Sequence, residues 1–175
     1  MTSKERVKLA YSHKEADRIP IDYLANPGID LRMKKHFQIA ENDDEGLLRR
    51  LNVDFRNVEA PYTGPQLHPE IENRKIDMWG IRRTWIENKS GGYWDYCDFP
   101  LQNATVDEIN AWPMPNPDDF DYDIILEQIS KSPDSYITIG HPGIGDLINT
   151  TSMLRNMEVV LMDLATEEPE TQLLI

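Results

Sequence analysis

The stretch Tyr136-Ile-Thr-Ile-Gly-His-Pro-Gly143 constrains this chain more than any other. Ile137, Thr138 and Ile139 are β-branched and favour a strand. Gly140 and Gly143 bracket a sharp exit. From Asp146 onward, Leu147, Leu154, Met157, Leu161 and Leu164 recur at helical spacing and predict one long amphipathic helix. Strand, polar turn and helix make half of a βαβ unit. In folds built of such units, ligands meet the turns at the carboxyl ends of the strands. His141 stands on that turn.

The preceding chain supplies further pieces of the same kind. Thr2 and Glu5 form a capping box ahead of Val7, Ala10 and Tyr11, which predicts a helix over 3–12. Ile19-Pro-Ile-Asp-Tyr-Leu24 is an extended apolar run and reads as a first barrel-type strand. Asn26-Pro27 has the pattern of a cap followed by a first helical residue, with Ile29, Met33 and Phe37 on one face. A second helix is expected from Asp43-Asp44, with Leu47, Leu48 and Leu51 inward. Asn52 to Val58 alternates apolar and polar, the period of a second strand. Glu59 to Gly64 is a loop.

Residues 61–100 interrupt the rhythm. Two aromatic, alternating runs flank Asn88-Lys-Ser-Gly-Gly92, the signature of a β-hairpin inserted after the second strand. Thr105 and Glu108 open a short helix that Pro113 ends. Pro113, Pro115 and Pro117 stiffen a connector. Residues 120–131 read as a helix with Ile125 and Ile129 inward. After Pro169, Glu170 to Ile175 look like the first turns of another helix, and three closing apolar residues read as a chain cut in mid-fold.

Three βα repeats with a hairpin insertion suggest an α/β chain, the first three or so units of a (β/α)8 TIM barrel. Residues 1–175 then form the amino-terminal portion of one domain, because such barrels need roughly 250 residues. The net charge of −13 argues against nucleic acid or an anionic membrane surface as partner, unless Arg and Lys gather locally in a cleft. Cys97 is alone, so no disulfide framework or cysteine zinc cluster is expected. With no apolar run of spanning length and no signal-peptide core, a cytoplasmic location is expected.

Several ordered segments resemble the uroporphyrinogen decarboxylase-like proteins. They are Ser3-Lys-Glu-Arg6-Val, His13-Lys-Glu-Ala-Asp17-Arg18-Ile-Pro20-Ile-Asp22, Leu51-Asn-Val-Asp54-Phe-Arg56, Asp77-Met-Trp79-Gly80, Trp112-Pro-Met-Pro115-Asn-Pro-Asp118, His141-Pro-Gly143 and Leu161-Met-Asp163-Leu-Ala. The resemblance spans essentially all 175 residues and corresponds to the family's amino-terminal half. It implies a (β/α)8 barrel. It also implies one of two chemistries: cofactor-free decarboxylation of uroporphyrinogen III in tetrapyrrole biosynthesis, or methyl transfer between small methylated compounds, corrinoid proteins and thiols or folates. The decarboxylases carry an arginine-rich loop after the first strand, whereas this chain has Leu24-Ala-Asn-Pro-Gly-Ile-Asp30 there. A substrate with eight carboxylates needs cationic clamps, so the methyltransferase branch is the nearer. That branch implies zinc bound by His and Cys in the carboxyl-terminal half, outside this chain, and a corrinoid on a partner protein. The isolated chain would be inactive, or one half of a split barrel paired with a complementary chain.

The candidate catalytic residues are His141, which would face the barrel mouth, and Glu59, which follows the second strand near the family's pyrrole-binding aspartate. Tyr62 in the same loop, with Tyr23 and Asn26 after the first run, are candidate substrate contacts. Tyr23 and Asn26 read equally well as core and helix cap. Trp79, Trp85, Trp94 and Tyr96 could cage a methylammonium group or pin the hairpin onto the barrel. No metal ligand is assigned within the chain, Arg56 reads as a salt-bridged structural residue, and Cys97 as an inert thiol.

Overall fold

A computed structural model describes residues 1–89, 91–140 and 147–175. In chain order the elements are helices α1 (Ser3–Tyr11), α2 (Pro27–His36) and α3 (Asp44–Arg50), then strands β1 (Phe55–Val58), β2 (Lys75–Ile76), β3 (Arg82–Asn88) and β4 (Gly91–Cys97). Helix α4 (Val106–Asn110) and a 3-10 turn (Pro117–Asp119) lead to α5 (Ile124–Ser130) and β5 (Tyr136–Ile139). Helices α6 (Leu147–Arg155), α7 (Met157–Thr166) and α8 (Pro169–Leu174) close the chain. Mixed α/β architecture is therefore observed. Among the described residues the sheets are small and open: a parallel pair β1-β5 and an antiparallel β2-β3-β4.

The chain divides into two units. The first comprises Met1–Ala60, Glu87–Tyr93 and Tyr122–Gly140. Its centre is the β1-β5 pair, in register from Phe55 opposite Tyr136 to Val58 opposite Ile139. Val7, Leu47, Val53 and Val58 are buried around it. Sequence-encoded caps define the helices here. Thr2 and Glu5 form the expected capping box on α1, and Asn26 caps α2 with Pro27 at its first turn.

Asp54, fully buried just ahead of β1, ties the unit together. Its carboxylate accepts from Arg6 at 2.5 Å, from Arg18 at 2.7 and 2.9 Å, and from the Ile21 N–H at 2.8 Å. Arg6 also forks onto Asp17 at 2.6 and 2.7 Å. The Asp54 backbone reaches both ways: its N–H donates to Ile21 O, and its carbonyl accepts from Tyr136 N–H. A carboxylate with four donors avoids the heavy penalty of an uncompensated buried charge.

This junction explains why the first expected strand is absent. Ile19-Pro-Ile-Asp-Tyr-Leu24 lies outside regular secondary structure. Pro20 has no N–H, and the Asp54 carboxylate takes the Ile21 N–H that a ladder would need. Ile19 is left 84 % exposed. The second strand is likewise shorter than expected, because Asn52 takes a left-handed φ of 56° at the end of α3, and the extended ladder starts only at Phe55.

The second unit comprises Pro61–Ile86, Trp94–Asp121 and, among the described residues, 147–175. Its core packs Ile81, Leu101 and Leu154 with Trp79, Trp112, Met153 and Leu174. The expected hairpin is present as β3 and β4, extended by β2, which pairs antiparallel with β3. Trp85 and Trp94 meet edge to face at 5.6 Å.

The expected single helix after Asp146 is two helices. Asn156 breaks it at φ 74°, its side chain accepting from Glu158 N–H to start α7 afresh. The break re-aims the helix faces. Leu154 and Val160 are buried, while Leu147, Leu161 and Leu164 of the expected inward stripe stay exposed. Arg155 is buried instead, bonded to Asp163 at 2.7 Å and to Leu101 O at 2.8 Å, and Thr171 donates to the same carboxylate at 2.6 Å. No helix among the described residues is long and apolar enough to cross a membrane.

Candidate functional site

The parallel register sets the geometry of the first unit. Val58 opposite Ile139 brings Glu59 and Gly140 to the same, carboxyl, end of the pair. Glu59 is held through its peptide, not its side chain. Its N–H donates to Gln128 Oε1 at 3.1 Å and its carbonyl accepts from Gln128 Nε2 at 2.9 Å. Helix α5 thus fixes the backbone and leaves the carboxylate exposed. Ile139, 76 % exposed, and Gly140, at φ 75° with open space around it, complete this end. An anchored main chain carrying a solvated carboxylate suits hydrogen bonding to a polar or cationic ligand. His141 lies outside the described residues.

The other candidates have local partners. Tyr23 donates its hydroxyl to Asp30 at 3.3 Å, and burial, then the Asp30 charge, raise its pKa. Asn26 accepts from Ile29 N–H at 2.9 Å and serves as the cap of α2. Of the two alternatives for these residues, substrate contact or core and helix cap, the second is where their polar atoms go. Tyr62 belongs to the second unit. Its hydroxyl donates to Pro65 O at 2.9 Å, its ring meets Phe120 edge to face, and burial raises its pKa. Of the four described candidates, Glu59 is the one whose reactive group is not engaged in these local bonds.

The four aromatics do not gather as one group. Trp79 packs into the core of the second unit, and its carbonyl accepts from the Trp112 indole at 3.0 Å. Trp85 faces Trp94, and Tyr96 faces Phe99 at 6.2 Å. Trp94 and Tyr96, two apart on β4, share a strand face, and Trp79 lies apart from them in the core. Arg56 is bonded to Glu45 at 2.7 Å, as a structural residue should be. Burial raises the Cys97 thiol pKa, which lowers its nucleophilicity at neutral pH. Among the described residues no group of three His, Cys, Asp or Glu stands together as metal ligands would.

Sequence reasoning passed over His68, which the structure buries beside Trp112. A histidine two residues beyond Gln66 in a proline-rich loop carries no periodic signal, so only packing reveals it.

Comparison with protein-family models, curated proteins and solved structures finds no match to this chain.

Proposed function

We propose that this chain is the amino-terminal half of a uroporphyrinogen decarboxylase-like (β/α)8 barrel, with residues 61–100 as an inserted hairpin. The complete barrel transfers a methyl group between a small methylated compound and a corrinoid protein. The observation that carries this reading is the junction at Asp54. Arg6, Asp17, Arg18 and Asp54, from three of the segments that bear the resemblance, meet in one ion network. The Asp54 main chain bonds Ile21 on one side and Tyr136 of β5 on the other, the order that successive barrel strands would take.

The segment after residue 21 favours methyl transfer over decarboxylation. It presents Asp22 and Asp30 and no arginine until Arg32, and Asp30 is already paired with Lys34 at 2.7 Å. A polycarboxylate would meet like charge there, whereas a neutral or cationic methyl donor would not. Glu59 then holds the donor's polar or cationic head at the carboxyl end of β1. Zinc, which the resemblance implies for the carboxyl-terminal half, would polarise a thiol; its ligands are proposed outside residues 1–175.

The test mixes the full-length protein with a cobalamin-binding protein and a panel of methylated amines, thiols and methanol. The expected result is a change in cobalt–methyl absorbance with one of them. No change across the panel, or carbon dioxide release from uroporphyrinogen III, would reject the reading.

A further inference from the structure

The first unit holds a cavity of about 480 Å³ at the amino end of the β1-β5 pair. Asn52 and Val53, which lead into β1, and Ser132 to Ser135, which lead into β5, stand in its wall. Glu59 and Gly140 lie at the other end of the same strands. Five of the chain's 18 Lys and Arg residues line this one cavity: Arg6, Arg18, Arg49, Arg56 and Lys131. Against them the wall sets two carboxylates, Glu45 and Asp134. In a chain of net charge −13, this is the local gathering of cations that makes room for an anion.

The five cations divide into two sets. Arg6, Arg18 and Arg56 are spent on the fold. The first two hold Asp54, and Arg56 bonds Glu45 at 2.7 and 3.1 Å and the Val53 and Phe55 carbonyls. They neutralise the carboxylates around the cavity and fix its wall. Arg49 and Lys131 keep donors in hand. Arg49, on α3, gives Glu45 its Nε at 2.6 Å; its side chain is 70 % exposed, and both terminal nitrogens remain for another acceptor. Lys131 meets Glu127 at 2.7 Å in an exposed i,i+4 pair, a contact worth at most about 1 kcal/mol and easily traded for a stronger acceptor.

A fixed turn completes the wall beside Lys131. Ser135 N–H donates to Ser132 O at 3.1 Å, and Lys4 N–H on α1 donates to Asp134 O at 3.0 Å. Ser132 and Ser135 are half-buried there and add two hydroxyl donors. Guanidinium, ammonium and hydroxyls together suit a phosphate, whose three terminal oxygens take several charge-assisted bonds at once. A carboxylate has one oxygen fewer for the same donors. The volume leaves space for an organic body beyond the phosphate itself.

We propose that this cavity binds the phosphate group of a small soluble phosphomonoester, with Arg49 and Lys131 as its cationic clamp and Ser132 and Ser135 as hydrogen-bond donors. The same headgroup on a membrane is disfavoured, because an anionic surface would repel the rest of a chain at −13. The inference does not rest on the methyl-transfer reading, which places its chemistry at the opposite end of the strands.

The experiment titrates phenyl phosphate into the chain by calorimetry at an ionic strength of about 0.15 M, where diffuse attraction between exposed charges is screened beyond roughly 8 Å. Phenol, benzylammonium and phosphatidate vesicles are titrated in parallel. Saturable binding of phenyl phosphate is expected, with phenol and benzylammonium at least about tenfold weaker. Arg49→Met should weaken phenyl phosphate roughly tenfold, the worth of one hydrogen bond to a charged group, and Lys131→Met should weaken it too. Arg32→Met removes the same charge from the exposed face of α2 and should change nothing. Absence of saturable phenyl phosphate binding, equal losses in Arg32→Met and Arg49→Met, or binding to the vesicles alone would each overturn the proposal. Arg49 and Lys131 are both largely exposed, so their variants keep the fold.

Discussion

Asp54 shows how one side chain can organise a unit. Burial pushes its pKa up, but hydrogen bonds from Arg18, the Ile21 N–H, Ser3 and Arg6 outweigh burial and hold it below the ordinary value. Asp54→Ala would leave Arg6, itself buried, without its inner partner. Loss of one member of a buried pair typically costs about 3–5 kcal/mol, to be read as a fall in the urea midpoint. Asp17 is more exposed; its bond to Arg6, then the Arg6 charge, lower its pKa to about 2. Because the folded value lies below the unfolded one, the stabilisation is full above the unfolded pKa, near 4, and is lost as the pH falls towards 2. Arg6→Met should therefore raise the Asp17 titration midpoint, measured by carboxyl NMR, and flatten the acid limb of stability between those values.

At the scale of elements, caps and breaks decide what periodicity leaves open. The capping boxes at Thr2-Glu5 and Thr105-Glu108 were legible, because the pairing is local and needs no tertiary partner. Thr105→Ala should cost about 1 kcal/mol. The break at Asn156 was not legible, since Leu154, Met157 and Leu161 continue a helical spacing through it. Its positive φ and its bond to Glu158 separate α6 from α7, and burial of the Arg155–Asp163 pair rewards the turn. Asn156→Ala loses the cap and strains the backbone, and should destabilise by about 1–3 kcal/mol. Asn156→Gly keeps the conformation and should cost less, with both read by thermal melting.

At the scale of the whole molecule, each unit leaves large apolar side chains in solvent. Ile19, Leu24 and Ile139 do so in the first unit, and Trp85, Leu147 and Leu161 in the second. A half-barrel would leave such residues uncovered until further strands and helices join it. The isolated chain is accordingly expected to bind a hydrophobic dye, and a complementary barrel half added in trans should abolish that binding. A chain that binds no dye on its own would count against the half-barrel reading.

Short-range signals were enough for the local pieces: helix starts at Thr2, Asn26, Asp43 and Thr105, the hairpin around Asn88-Gly92, and the strand at Tyr136–Ile139. Each depends on neighbours within a few residues, where propensity and capping act. Long-range packing settled that the Ile21 N–H would go to Asp54, that the helix after Leu147 would break, and that His68 would be buried against Trp112. Those outcomes depend on partners 33, 54 or 44 residues away in the chain, and on which buried polar atoms find one another. No period in a sequence records that competition.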